Sequence, residues 1–150
     1  MTPKPNGEYV VRKMRIGDYQ SLVDLWTEAS LPFRPQGRDS KESIREELSS
    51  GNVDFLVAEN DGEIIGSVLC TNDGRKLWIN RLCVLPAWQR KGVATVLLAE
   101  AEKRAEARGL TVIACLIHED NSPSREFFTE NGYEFGEGIL YYSKRKGPQA

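Results

Sequence analysis

The chain has 150 residues, of which 40% are hydrophobic and 28% are charged, and its formal net charge is -2. This length suits one domain with a sizeable core, and we predict a single domain over residues 1–150. The nearly balanced charge argues against broad nucleic-acid binding, which usually requires a basic face. Because no apolar run reaches the length of a membrane span, we also expect no membrane partner.

The chain ends and the cysteines indicate where the protein works. Residues 1–7 contain no apolar signal core, and we expect flexible ends at about 1–8 and 146–150. Cys70, Cys83 and Cys115 lie in apolar runs without Cys-x-x-Cys spacing, and an odd number of buried thiols suits a reducing compartment. We therefore expect a cytoplasmic protein. No His, Cys or carboxylate group has metal-ligand spacing, so we predict no metal site.

The first third of the chain predicts one strand and two helices. The strand covers Tyr9–Met14, and Asp18 then caps a helix with apolar residues at helical spacing. Residues 31–38 contain two prolines and a glycine, so this connection is predicted to be irregular. A second helix is predicted over Asp39–Ser49, where Asp39-x-x-Glu42 matches a capping box.

The middle of the chain predicts three antiparallel strands, over residues 54–59, 63–71 and 76–85. The connections between them contain Asp61-Gly62 and Asn72-Asp73-Gly74, which are typical of tight turns. Short turns of this kind bring successive strands together as neighbours.

The last third predicts two helices and three strands. One helix runs from Val93 to near Gly109. Residues 111–117 are nearly all apolar, which is typical of a strand buried on both faces, and a preceding helix favours a parallel pairing with strand 76–85. Ser122-Pro123 begins the last helix. Two short strands, Tyr133–Gly136 and Ile139–Lys144, complete a mixed α/β sandwich.

The segment 82–95 predicts an anion-binding site. An apolar strand ends at Pro86, a turn with two basic residues and Gly92 follows, and then a helix begins. The first N–H groups of a helix lack partners within the helix, and its dipole favours negative charge there. Gly92 lets the backbone approach a ligand closely, and the basic side chains add charge. We infer that the ligand is a diphosphate.

The same segment resembles a signature of the GCN5-related N-acetyltransferase (GNAT) family. In that family Gln/Arg-x-x-Gly-x-Gly/Ala begins the helix that holds the pyrophosphate of acetyl-CoA, and this chain has Gln89-x-x-Gly92-x-Ala94. Three further segments look like the family in order and spacing: Asp61-Gly62-Glu63-Ile64-Ile65-Gly66, Val84-x-Pro86 and Asn121-x-x-Ser124-x-x-Phe127-Phe128-x-x-x-Gly132-Tyr133. Together they cover most of residues 9–145.

The resemblance implies a mixed α/β (α+β) fold with a mostly antiparallel central sheet of six to seven strands. It also implies helices on both faces and a parallel strand pair that splays apart, with a bulge in its first strand. In this family acetyl-CoA is the co-substrate, and its acetyl group goes to a primary amine of a small molecule or peptide. The cofactor-binding residues implied by the motifs are Leu82, Cys83, Val84, Gln89, Arg90, Lys91, Gly92, Val93, Ala94, Thr95, Asn121, Ser124, Phe127 and Phe128.

The catalytic acid and base stay open, because this chain departs from the family at both positions. Phe128 occupies the place of the usual tyrosine, and Asn80 and Arg81 stand where glutamates are common. Asn80, Tyr141 and Tyr142 are the remaining candidates, with water as an alternative proton carrier. These departures also motivate a second hypothesis, a non-catalytic acyl-CoA-binding sensor or regulatory module.

Four residues are candidates for the acceptor pocket. Trp78 and Asn80 are expected to share one strand face with Leu82 and Val84, although a bulge would disrupt this alternation. Arg34 and Arg38 lie in the irregular connection, where they suit a substrate carboxylate or phosphate. The alternatives are a core position for Trp78, an edge position for Asn80 and solvated arginines.

A third hypothesis, a Cys/His hydrolase, starts from Cys115 and His118, the only histidine. Residues three apart on a strand point to opposite faces, which argues against this pair. A structural role for His118 is favoured over proton relay. Since strand edges in this fold commonly pair between subunits, the resemblance also leaves a homodimer open.

Overall fold

The computed structural model describes residues 2–3 and 9–150, and its centre is a six-stranded sheet whose strand order follows the chain. The strands are β1 (Thr2–Pro3), β2 (Val10–Lys13), β3 (Val53–Asn60), β4 (Glu63–Asn72), β5 (Lys76–Val84) and β6 (Val112–Cys115). The helices are α1 (Tyr19–Glu28), α2 (Lys41–Ser49), α3 (Val93–Ala107) and α4 (Ser122–Glu130). Neighbouring strands are antiparallel except β5 and β6, which are parallel. The predicted mixed, mostly antiparallel sheet is confirmed.

Helices cover both faces of the sheet, as adjacent residues of β4 demonstrate. A Cβ atom added to Gly66 would meet Leu97 and Val93 of α3 at 3.0 and 3.3 Å. The next residue, Ser67, accepts a hydrogen bond from Trp26 Nε1 of α1 at 3.2 Å. Because successive residues of a strand face opposite sides, α1 and α3 lie on opposite faces.

Ion pairs with arginines engage both carboxylates that the sequence predicted as helix caps. Asp18 does immediately precede α1, but its carboxylate makes no capping bond there and binds Arg12 instead, at 2.8 and 2.9 Å. The capping box at Asp39 is wrong. Ser40 is the N-cap of α2 and accepts the Ser43 N–H at 3.1 Å. The Asp39 carboxylate is engaged by Arg81 instead.

The end of the chain also differs from the prediction. Residues 133–150 form no strand, so the two predicted strands over 133–136 and 139–144 are wrong. Their apolar side chains stay exposed because no neighbouring strand pairs with this segment; the large exposed ones are Phe135, Ile139, Leu140, Tyr141 and Tyr142. The segment 111–117 is a strand only over β6, whose residues are exposed or half-buried rather than buried on both faces.

The predicted flexible ends are only partly within the described residues. Thr2 and Pro3 pair with Val11 and Val10, and the rest of the predicted N-terminal arm lies outside the described residues. At the other end, the Gln149 side chain accepts the Gln36 N–H at 3.4 Å. The flexibility of residues 146–150 stays a prediction.

Candidate functional site

The parallel strands β5 and β6 pair over only four residues each. Lys76–Ile79 face Val112–Cys115, after which β5 continues to Val84 and β6 ends. The second half of β5 therefore has a strand partner on the β4 side and an open edge on the β6 side. This arrangement confirms the predicted splayed pair.

A β-bulge lies at the start of the open edge. Ser67 pairs with Cys83 and Leu69 pairs with Asn80, so β5 has two residues where β4 has one. Arg81 is one of the two, and its φ of 54° is in the left-handed region. Such a bulge bends and twists the strand, which directs its last residues away from β6.

The bulge corrects one sequence-based prediction. Asn80 pairs with Leu69 and Cys83 pairs with Ser67, and these two residues of β4 are two apart and therefore share a face. Asn80 and Cys83 consequently share that face too, so the predicted single face for Trp78, Asn80, Leu82 and Val84 is wrong. Trp78 and Asn80 therefore lie on the α1 side together with Cys83. Val84 pairs with Gly66, whose missing side chain would face α3.

The backbone of Val84 is directed to the open edge. Leu85 donates its N–H to the Ile65 carbonyl of β4 at 2.8 Å. Because hydrogen-bonding groups of successive strand residues point to opposite edges, the Val84 N–H and C=O point away from β4. Gln89 Nε2 donates to that carbonyl at 3.1 Å, which connects the following turn to the strand end.

The turn between β5 and α3 has the features of an anion site. Gly92 is the N-cap of α3 with φ of 83° and offers no side chain, so the first-turn N–H groups have no side-chain cap. A Cβ at Gly92 would meet nothing within 4 Å, so the space beside it is open. Arg90 and Lys91 are exposed here, and Lys91 Nζ lies 5.2 Å from the Trp88 ring centroid. These residues fit a diphosphate.

The start of α4 is built as the motif suggests, but its polar residues bind each other. The Asn121 side chain is the N-cap and accepts the Ser124 N–H at 3.3 Å. Phe128 is buried and contacts Phe127 and Tyr133 edge to face, with centroids 5.3 and 5.1 Å apart. Phe128 is therefore a packing residue.

Arg81 connects the bulge to the connection between α1 and α2, residues 29–40. Its guanidinium donates to the Pro32 carbonyl and to the Asp39 carboxylate. It also lies over the Trp26 ring, with Cζ 5.3 Å from the centroid. The Arg81 carbonyl accepts the Ser67 hydroxyl at 2.8 Å. The sequence identified Arg81 only as a residue at a position where the family commonly has glutamate, and it did not predict this structural role.

The connection itself is held by backbone hydrogen bonds. The Arg34 carbonyl accepts the N–H groups of Gly37 and Asp39, both at 3.0 Å. The Asp39 carboxylate accepts the Arg34 N–H at 2.6 Å, and the Asp39 carbonyl accepts the Tyr19 hydroxyl at 2.8 Å. Arg34 and Arg38 therefore project from a fixed loop beside the bulge.

The catalytic candidates are not brought together. Asn80 is exposed and donates weakly to the Trp78 carbonyl at 3.4 Å. Tyr141 and Tyr142 are 65% and 87% exposed on the irregular segment after α4. Tyr133 donates its hydroxyl to Glu102 at 2.9 Å, and burial together with that bond raises its pKa, which makes it a poor acid here.

The thiols are equally unsuited to nucleophilic chemistry. Burial raises the pKa of Cys115 to about 11 and that of Cys83 to about 11. A thiolate is the reactive form, so both side chains stay protonated and unreactive at neutral pH. The Cys/His hydrolase hypothesis thus has no activated thiol to support it.

The described part of the chain has neither a metal-binding cluster nor a helix that could span a membrane. Within residues 2–3 and 9–150, no group of three or more His, Cys, Asp or Glu side chains is placed to hold a metal ion. None of the helices in that part of the chain has the length and apolar character that crossing a membrane would require.

Comparison with known proteins identifies the family. The model of the acetyltransferase (GNAT) family matches residues 19–133. An acetyltransferase of Sodalis glossinidius is 30% identical over 135 residues, which cover 90% of this chain and 94% of that protein. An acetyltransferase of Pectobacterium atrosepticum is 33% identical over 124 residues, with coverage of 83% and 86%.

Solved structures agree with these relatives. The PaiA N-acetyltransferase from Thermoplasma acidophilum in complex with coenzyme A has a TM-score of 0.74 and 26% identity, covering 84% of this chain and 89% of that one. The aminoglycoside N-acetyltransferase AAC(6')-Iy in complex with a bisubstrate analogue has the same fold, with a TM-score of 0.76, 21% identity and coverage of 91% and 98%. The chain belongs to the GNAT family and is an acetyltransferase that uses acetyl-CoA as its co-substrate.

Proposed function

We propose that the protein transfers the acetyl group of acetyl-CoA to a primary amine by direct attack in a ternary complex. The observation that carries this proposal is the open edge of β5 directly before the anion site at Gly92. A strand edge without a partner can accept the amide-bearing pantetheine arm, and the helix start can accept the diphosphate.

The chain's own groups then have distinct roles. Leu82 and Val84 offer backbone groups to the arm, while Arg90, Lys91 and the first-turn N–H groups of α3 hold the diphosphate. The Val84 N–H points at the position of the thioester oxygen, where it stabilises the negative charge that develops as the amine attacks. The α1-side residues Trp78 and Asn80 border the acceptor.

Catalysis without a dedicated acid and base is consistent with the site. Placing two reactants correctly supplies on the order of 7–11 kcal/mol of the barrier in favourable cases. General acid–base catalysis typically contributes less, about 10²–10⁴-fold. Phe128 is buried and has no ionisable group that could donate a proton. We therefore propose that water carries protons to and from the reacting groups.

The direct experiment measures CoA thiol release from acetyl-CoA across a broad panel of amines. Turnover with at least one primary amine is expected, together with a matching acetylated product by mass spectrometry. Tight CoA binding without turnover on any amine would favour the alternative, a non-catalytic acyl-CoA sensor. The observation that supports this alternative is that Arg81 and Phe128 occupy the positions of the usual glutamate and tyrosine.

Two further properties are proposals. Free thiols at Cys70, Cys83 and Cys115 support a cytoplasmic location. A homodimer is supported by β6, which pairs with β5 alone within the described sheet, and by the exposed apolar side chains that follow α4. Exposed apolar clusters of this kind commonly mark contact surfaces.

A further inference from the structure

The loop beside the bulge carries two arginines, Arg34 and Arg38, that have no ion-pair partner among residues 9–150. Neither the Arg34 nor the Arg38 guanidinium makes an ion pair or a side-chain hydrogen bond within residues 9–150. The Arg34 Nε atom is buried and has no hydrogen-bond partner there. A buried donor without a partner is costly, so the Arg34 side chain gains free energy from any rearrangement that brings this donor to an acceptor.

The acidic groups of this region make no ion pair with these arginines within residues 9–150. The Asp39 carboxylate is 5% exposed and already binds Arg81 and the Arg34 N–H. Burial raises the pKa of Glu47, as does the charge of Asp39, while Arg81 and Arg38 oppose the rise. Glu47 is therefore near the arginines but holds its negative charge less readily than an ordinary glutamate.

The arginines also affect one another. Burial lowers the pKa of Arg81, Asp39 opposes this, and the charges of Arg38 and Arg34 lower it further. Three guanidinium groups thus act on a region with two carboxylates, of which Asp39 is fully engaged. Arg81 is three residues before Val84 on the same strand, so its backbone lies roughly 10 Å from the proposed oxyanion donor.

We propose that the acceptor amine also carries an anionic group, a carboxylate or a phosphate, and that Arg34 and Arg38 bind that group. This inference rests on the proposed amine acetylation. A guanidinium offers a planar pair of donors that matches both anions, and the fixed loop presents it without a large ordering cost. The same charge disfavours polycationic amines.

The test uses acceptor pairs that differ in the anionic group. Amino acids are compared with their carboxamides, and O-phosphoethanolamine is compared with ethanolamine, while spermidine serves as a polycation. In at least one of the two pairs, the anionic acceptor is expected to have a kcat/KM at least tenfold higher than its neutral counterpart. A difference in the amino-acid pair indicates a carboxylate, and a difference in the O-phosphoethanolamine pair indicates a phosphate.

Variants assign the effect to the two side chains. Arg34→Gln and Arg38→Gln are expected to raise KM for the anionic acceptor at least fivefold, with little change in kcat or in the kinetics of the neutral acceptor. Arg45→Gln is the matched control, because it removes the same charge from α2 at a side chain that is 54% exposed. A loss of equal size for both members of a pair would overturn the proposal.

A binding measurement separates this inference from the proposed function. Calorimetry with the CoA-loaded protein records binding of each acceptor without turnover. Tighter binding of the anionic member, lost in the Arg34 and Arg38 variants, supports the inference even if no amine is acetylated. Equal binding of the anionic acceptor and its neutral counterpart, including no binding of either, overturns the inference. Thiol release with neutral amines would still uphold the proposed function.

Discussion

Gly92 determines at the scale of one residue whether the turn before α3 can bind an anion. Its φ of 83° is unfavourable for other residues, and the space beside it is open. Gly92→Ala is expected to lower the free energy of unfolding by about 1–2 kcal/mol, the cost of a left-handed residue. The new methyl group also enters the expected diphosphate position, so CoA affinity measured by calorimetry should fall at least tenfold.

Gly109→Ala is the control for this prediction. Gly109 ends the same helix with φ of 70°, and a Cβ there would also meet nothing within 4 Å. It should show a similar loss in urea unfolding but unchanged CoA affinity. If the two variants bound CoA equally, the placement of the diphosphate at Gly92 would be wrong.

Arg81 acts at the scale of elements, because it joins a strand to the connection between two helices. Arg81→Met leaves the Asp39 carboxylate buried with only the Arg34 N–H as a partner. Breaking one side of a buried pair costs about 3–5 kcal/mol, so a loss of that order is expected in urea unfolding. KM for the acceptor should rise as well, since the loop is no longer held.

Two comparison variants make this prediction specific. Adding Asp39→Asn to Arg81→Met removes the unpaired charge and should restore part of the stability. Arg45→Gln breaks an exposed pair with Glu42 and should change stability by no more than about 0.5 kcal/mol. Equal effects of Arg81→Met and Arg45→Gln would mean that the buried pair does not hold the loop.

The elements themselves were largely predictable, because hydrophobic period and turn residues act locally. The hairpin at Asp61-Gly62 and the helix after Gly92 lie where their sequences indicate. Asp18 is the N-cap residue of α1 as predicted, but its side chain makes no capping bond because Arg12 binds it. Asp39 was misassigned as a cap because Arg81, 42 residues away, binds its carboxylate, and such a distant partner leaves no local signal.

The bulge is the part of the site that sequence could not locate. Alternation predicted one face for Trp78, Asn80, Leu82 and Val84, but a single extra residue at Arg81 reverses the face of everything after it. The strands predicted after α4 failed for a related reason. Their alternating apolar residues suit a strand, yet a strand also requires a neighbour with which to pair.

The pH dependence of stability is a property of the whole molecule to which Asp18 contributes clearly. Hydrogen bonds from Arg12 lower the pKa of Asp18. A depressed carboxyl pKa stabilises the fold above the ordinary value, and this contribution is lost as pH falls below about 4 towards the folded pKa. Glu47 has the opposite sign, because its raised pKa favours the fold as pH falls from neutral.

Asp18→Asn should therefore lower the unfolding free energy at pH 7 and flatten its decline below pH 4. Urea unfolding at several pH values measures both effects. Asp24→Asn is the control, since Asp24 makes only an exposed hydrogen bond with Gln20. If the unfolding free energy of Asp18→Asn declined below pH 4 as steeply as that of the wild type, other carboxylates would control acid unfolding.

The proposed homodimer is the remaining prediction at the scale of the whole molecule, and it rests on the segment after α4. Ile139 and Leu140 are 78% and 75% exposed, and Leu116, which directly follows the edge strand β6, is 63% exposed. Replacing Ile139 and Leu140 by Ser removes four apolar side chains from a two-fold dimer, at about 1.5 kcal/mol or more for each one that is buried. If half of that free energy is realised, the dissociation constant of the dimer rises at least about 100-fold.

Sedimentation velocity over a concentration series measures this dissociation constant. Ala99→Ser with Ala107→Ser, on the exposed side of α3, is the control and should leave the dissociation constant unaltered. A wild-type protein that stays monomeric throughout, or a dimer that tolerates both serines, would exclude this surface as the subunit contact.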